Sequence, residues 1–173
     1  ITLATTGGGQ GGFAPAGGYL HHLDLVTVRN EQIAVAALPV GVPIDPRKIT
    51  GEVGRNSRKL AETFKPLVSG GPTVESDLSV DGDFMVTLTN PAQCLIDVSV
   101  ALSGEGSRWA LVPAHRHVEI GPSETIKLSF QLLRGDGLTG GFGLPRLEVS
   151  VEALFEDLRV PIPVFFVEVP LHS

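Results

Sequence analysis

Hydrophobic and polar positions alternate with period two over most of the second half of the chain. Ile96, Val98, Val100 and Leu102 are apolar, while Asp97, Ser99 and Ala101 between them are small or polar. Such alternation marks a half-buried antiparallel strand. The same pattern places Ile126, Leu128, Phe130 and Leu132 on one face of a strand over Thr125 to Leu133, and recurs at Leu147, Val149, Val151 and Ala153. Shorter runs lie at Leu78–Val80, Phe84–Thr89, Trp109–Val112, His117–Ile120 and Val160–Val169. Asp81-Gly82, Asn90-Pro91, Ser103–Gly106, Gly121-Pro122, Gly135–Gly143 and Glu156-Asp157 punctuate them. Asp81-Gly82 reads as a tight turn. Pro161 and Pro163 predict that the last strand is an edge or begins irregularly. Seven or eight strands in ~100 residues, with turns about every ten, predict an immunoglobulin-like β-sandwich. The single Trp109 is the expected large aromatic plug between its sheets.

The first half reads differently. Gly7-Gly8-Gly9-Gln10-Gly11-Gly12 predicts a loop, and its formal G-x-G-x-x-G match has no βαβ unit after it. Runs follow at Tyr19–Val28 and Ile33–Val40. Leu23–Val28 and Ile33–Leu38 flank the polar Arg29-Asn30-Glu31-Gln32, which predicts a hairpin. A lone hairpin is marginal in water, so something must cover it. Val42 to Lys48 reads as linker because Pro43 and Pro46 forbid regular structure. A short helix is predicted over Asn56 to Lys65, capped by Asn56 or Ser57, with Leu60, Ala61 and Phe64 on one face. Pro66 and Gly70-Gly71-Pro72 end it. The expected organisation is thus a strand and hairpin segment (1–45), a linker with a short helix (46–75) and the sandwich (76–173). The fold class is mainly β.

Composition narrows the function. The 173 residues are 42% hydrophobic, enough for a packed core, and only 18% charged. The 21 glycines and 13 prolines favour turns and strands over long helices. A net charge of −6 argues against binding nucleic acid through the phosphates, which needs clustered Lys and Arg. No apolar run reaches the ~18–20 residues of a membrane-spanning helix. Cys94 is the only cysteine, which excludes an intrachain disulfide and any multi-cysteine metal site. Ile1-Thr2-Leu3-Ala4-Thr5 reads as a strand already in progress, so a piece of a longer protein is expected, its compartment unassigned but extracytoplasmic by inclination.

Candidate chemistry is sparse. His21 and His22 are adjacent, so on a strand they point to opposite faces and do not chelate one ion. His115 and His117 share a face, with Glu119 continuing it, but a metal needs further ligands and Arg116 disfavours a cation. Asp77, Asp81, Asp83 and Asp97 do not follow a calcium-loop pattern. Asp136-Gly137 reads as a turn. Cys94 beside Leu95 and Ile96 reads as a buried small hydrophobe. No G-x-S-x-G, Walker loop or H-E-x-x-H is present. The expectation is no catalytic, cofactor-binding or metal residue in this chain, and no cofactor.

Two stretches carry resemblances. The Gly-rich loop, then Gly18-Tyr19-Leu20-His21-His22-Leu23-Asp24-Leu25-Val26-Thr27-Val28, then Ile33 to Pro39, resembles the end of a calcineurin-like metallophosphoesterase domain. In that family a hairpin of this kind closes the catalytic sheet. Of the D-x-H, G-D, G-N-H-[DE] and G-H-x-H motifs that hold its two metals, only the G-D dipeptide occurs in this chain, at Gly82-Asp83 and Gly135-Asp136, and the three histidine-bearing motifs are absent. Leu88-Thr89-Asn90-Pro91, Gly106-x-x-Trp109, Pro113 and Ile120-Gly121-Pro122-Ser123-Glu124 resemble immunoglobulin-like accessory domains of bacterial hydrolases, of the NEW3 type. Together they imply a non-catalytic C-terminal accessory domain of a multidomain metallophosphoesterase. Its partner would be the upstream catalytic domain, and the N-terminal strands would be available for homo-oligomerisation. The alternative is a stand-alone binding or adhesion module for carbohydrate or protein. It ranks lower because aromatics, which serve such contacts, make up only 6%.

Overall fold

The computed structural model describes residues 22–29, 32–39, 48, 50–103, 108–135, 143–156 and 158–172. Two strands, β1 (His22–Arg29) and β2 (Gln32–Pro39), pair antiparallel in a sheet of their own. Helix α1 (Gly51–Thr63) follows. Eight further strands come after it: β3 (Leu67–Ser69), β4 (Val80–Thr89), β5 (Leu95–Leu102), β6 (Ala110–Val112), β7 (His115–Ile120), β8 (Thr125–Arg134), β9 (Arg146–Phe155) and β10 (Leu158–Glu168). They form two four-stranded antiparallel sheets, ordered β10-β9-β5-β7 and β3-β4-β8-β6. The protein is mainly β, and its body is an immunoglobulin-like sandwich.

The alternation in the sequence decides which face is inward. On β8 the side chains of Leu128, Phe130 and Leu132 are buried, while Lys127 and Ser129 are exposed. On β9, Leu147, Val149, Val151 and Ala153 are buried. These faces meet Phe84, Val86 and Leu88 of β4 and Ile96, Val98 and Val100 of β5 in one continuous core. Phe84 and Phe130 oppose each other in the β4–β8 ladder, their rings stacked at 5.6 Å. Pro161 and Pro163 do lie on an edge strand, and the β10–β9 register shifts between Ile162 and Phe165.

Helix α1 begins earlier than the cap chemistry of Asn56 and Ser57 suggested. Thr50 is the N-cap, its Oγ1 accepting from Val53 N at 3.3 Å. Asn56 and Ser57 are instead buried mid-helix, where Asn56 Oδ1 accepts from Gln93 N at 3.0 Å and ties the helix to the turn before β5. Val53, Leu60 and Phe64 enter the sandwich core, and Phe64 packs on Phe165 at 5.2 Å. The helix and β3 are therefore bound to the sandwich.

Asp81-Gly82 is not a turn. Both residues lie inside β4, and the turn comes earlier, at Ser76–Leu78. Glycine is needed at 82 because Pro72 crosses over it; a Cβ there would stand 2.6 Å from Pro72 Cβ. The turn itself is held by Asp77, whose Oδ1 accepts from Ser79 Oγ (2.6 Å) and Ser79 N (2.9 Å). Those hydrogen bonds hold the Asp77 carboxyl below its usual range. Leu78 sits in this turn at φ 67°, a left-handed backbone that costs a branched side chain ~1 kcal/mol or more. It gains little packing in return, being 39% exposed. Leu78→Gly is therefore expected to raise stability by ~1 kcal/mol, read as a higher urea midpoint with an unchanged slope.

Trp109 does not plug the space between the sheets. It is half-buried just before β6, packed against the core's margin, with the Arg134 guanidinium 5.3 Å from its ring centroid. β6 is a three-residue edge strand, so its end cannot carry a side chain to the middle of the core.

Candidate functional site

The densest polar cluster lies on the outer face of the β10-β9-β5-β7 sheet. Cross-strand register sets three acids in one row: Glu152 of β9 opposes Asp97 of β5, which opposes Glu119 of β7. Like charges directly opposite are destabilising. Two basic side chains flank the row. Arg159 of β10 reaches diagonally, its Nη1 donating to Asp97 Oδ2 at 3.0 Å and to Glu152 Oε2 at 3.2 Å. Those hydrogen bonds, to Glu152 first and then Asp97, push the Arg159 pKa up. His117 covers Asp97 from the other side. Its Nε2 stands 2.9 Å from Asp97 Oδ1, an ion pair whenever the ring carries both protons. The contact is off the ring N–H axis, and Oδ1 accepts no hydrogen bond. Under Arg159 and His117 the Asp97 residue is only 7% exposed, although it points outward from the sheet.

Ser99, two residues along β5, opposes His117 in the ladder, and its Oγ lies 3.1 Å from His117 Nδ1. Serine, histidine and aspartate thus share hydrogen-bonding distances, as they do in hydrolytic triads. That chemistry has a further requirement, which the amides of β5 itself do not meet. Catalysis of acyl transfer needs amide donors aimed at the developing oxyanion. β5 is an interior strand laddered on both sides, to β9 and β7, so its amides around Ser99 are committed. What the cluster does chemically is offset a buried carboxylate and tie four strands, β7, β5, β9 and β10, to one another.

The other sequence candidates do not converge. His115 and His117 share a face of β7, both exposed, their rings 6.4 Å apart. Asp81 accepts from Gln131 Nε2 at 2.6 Å on the opposite sheet, and Asp77 is occupied by Ser79. A shallow depression of about 340 Å³ lies beside them, lined by Asp77, Ser79, Asp81, Leu133 and Arg134. Cys94 is buried, and desolvation raises its thiol pKa, which keeps it protonated and unreactive. Among the described residues no three His, Cys, Asp or Glu side chains converge as a metal-ligand set, and no helix is long and apolar enough to cross a membrane. His21, the Gly7–Gly12 loop and Asp136-Gly137 lie outside the described residues, as does the side chain of His22.

The hairpin β1–β2 carries the other conspicuous surface. Val26 opposes Val35 and Val28 opposes Ile33, so four β-branched side chains form one block on one face. Val26, Val28 and Ile33 are 46, 65 and 60% exposed. Leu25, on the opposite face, is 54% exposed as well. Among the hairpin's described side chains, Val35 and Ala36 are half-buried and the rest are exposed.

No protein-family model matches the chain, and no curated protein does. Among solved structures it is similar to WR4, a C. elegans MSP family member, at 11% identity and a TM-score of 0.39. That likeness covers 62% of this chain and 96% of WR4.

Proposed function

We propose that this chain is a non-catalytic accessory domain of a metallophosphoesterase of the calcineurin-like type. The sandwich is the rigid body, and the hairpin is the element that docks on the catalytic domain of the same polypeptide. The observation that carries this reading is the exposure of Leu25, Val26, Val28 and Ile33 on the hairpin. Soluble proteins rarely expose apolar blocks of this kind unless something covers them. Covering the block returns ~1.5–3 kcal/mol for each large side chain fully buried. A two-stranded sheet needs such a covering layer to be stable at all. The sandwich, by contrast, has a continuous core of its own, which among the described residues runs from Val53 to Val169.

The test compares the full chain with a variant lacking residues 1–45. Hydrogen exchange should show β5 and β9 strongly protected in both, and the melting temperature should differ by no more than ~2 °C. Neither protein should hydrolyse bis- or mono-nitrophenyl phosphate with Mn²⁺, Fe²⁺ or Zn²⁺ added. Loss of cooperative unfolding in the deletion variant would place the hairpin within the sandwich domain and end the proposal. Metal-dependent turnover that survives repurification would end it too.

A further inference from the structure

An unpaired strand edge is a template for another strand, and proteins ordinarily blunt such edges with short length, proline, bulges or charge. The sandwich does so at all four of its edges. β3 and β6 have three residues each. β10 carries Pro161, Pro163 and a register shift. β7 presents His115, Arg116, His117 and Glu119 in six residues. On the hairpin, β1 includes Asp24 and Arg29. β2 differs from all of these. It runs for eight residues, Gln-Ile-Ala-Val-Ala-Ala-Leu-Pro, with no charge and with proline only at its last position. Among the described residues its one partner strand is β1, and its other edge pairs with no described strand.

We propose that β2 is a strand-pairing edge and that two copies of this chain join through it, antiparallel about a two-fold axis at Val35. In that register Val35 faces Val35 of the second copy, Ala34 faces Ala36, Ile33 faces Ala37, and Gln32 faces Leu38. Pro39 falls just outside the ladder, where its missing N–H costs nothing. No ionisable side chain lies between 32 and 38, so no charge is brought against a charge or stripped of water. The contact is isologous and closes on itself, which gives a dimer and not a fibre. It turns two marginal two-stranded ribbons into one four-stranded sheet, β1-β2-β2-β1, above the three strands that independent stability requires. The apolar blocks of the two copies then lie side by side on one face. The proposal is independent of the accessory-domain reading, since it uses the edge of the hairpin and leaves its faces free.

The test uses the full chain. Sedimentation of the wild type over a wide concentration range reads the association directly. Three single substitutions, Val35→Cys, Ile33→Cys and Val28→Cys, then read its geometry under mild oxidation; Cys94 is buried and stays silent. A two-fold at Val35 sets only the Val35→Cys thiols opposite each other, so this variant should cross-link at least tenfold faster than the other two. Val28 lies on β1, a strand away from the joint, and reports on packing of hairpin faces instead. A concentration-dependent dimer with Val35→Cys fastest supports the proposal. A wild type that stays monomeric throughout overturns it. So does a dimer in which Ile33→Cys or Val28→Cys links as fast as Val35→Cys.

Discussion

Replacing Asn90 with alanine is expected to cost about 3–4 kcal/mol, a large share of the ~5–15 kcal/mol that holds a domain together. The residue is fully buried at the end of β4. Its Nδ2 donates to Cys94 O (2.8 Å), Ile120 O (3.0 Å) and Gly121 O (3.0 Å), and its Oδ1 accepts from Ala92 N (2.9 Å). Its backbone N donates to Glu124 O, and its carbonyl accepts from Ser123 N. One amide side chain therefore ties the end of β4 to the start of β5 and to the β7–β8 turn. Alanine leaves an amide and three carbonyls seeking partners out of reach of water. Asn90→Asp should be worse than alanine at pH 7, because it aims a carboxylate at three carbonyl oxygens. Burial and those dipoles raise its folded-state pKa. Stability of Asn90→Asp should therefore recover as pH falls through that raised value. Urea unfolding of both variants at pH 7 and pH 5 checks the point; Asn90→Asp that equals the wild type at pH 7 would refute this account.

Phe84→Ala should cost ~3–5 kcal/mol, the usual penalty for emptying a buried aromatic site. Phe84 and Phe130 oppose each other in the ladder, both almost wholly buried, with rings 19° from parallel. Removing one ring leaves a hole between two rigid sheets and forfeits the stacking contact. For a chain of this size the melting temperature should drop by ~6–20 °C. Met85→Ala is the internal control. Met85 is the next residue on β4 but points out of the sandwich, so its change should stay within ~0.5 kcal/mol. If Met85→Ala cost as much as Phe84→Ala, the inward face of β4 would be misassigned.

The strands that were legible in the sequence are those whose alternation is unbroken. β5, β8 and β9 each bury every second side chain, and the pattern of apolar residues names the face. β4 was harder, because Asp81-Gly82 carries turn chemistry locally while its glycine answers a tertiary demand, the passage of Pro72. β3 left no pattern, since three residues cannot alternate and only Val68 faces the core. Asn56 has a capping side chain but spends it on Gln93 N and Glu52 O, Ser57 is buried mid-helix, and Thr50, three residues before Val53, was the better signal for the helix start. The Asp97 cluster was invisible for a different reason. Asp97 and Ser99 are two residues apart, but His117 and Arg159 join them only through the β5–β7 register and the reach of Arg159 across β9. Nothing local marks that meeting. The spacing His115-x-His117 did indicate a shared face, which the structure bears out.

The pairing of β4 with β8 has a consequence during synthesis. Thr89 and Thr125 touch through their hydroxyls at 2.9 Å, yet 36 residues separate them in the chain. β9 and β10, joined through Phe155 and Leu158, can close as soon as both are made. β4 cannot. At ~5–20 residues per second it leaves the ribosome about 2–10 s before its partner exists. During that interval β4 lacks its neighbour β8, and of the opposite sheet that Phe84, Val86 and Leu88 face only β5 and β7 are made before it. The nascent chain is thus most exposed to misassembly while β4 waits, and the sandwich is completed only once β10 has been made.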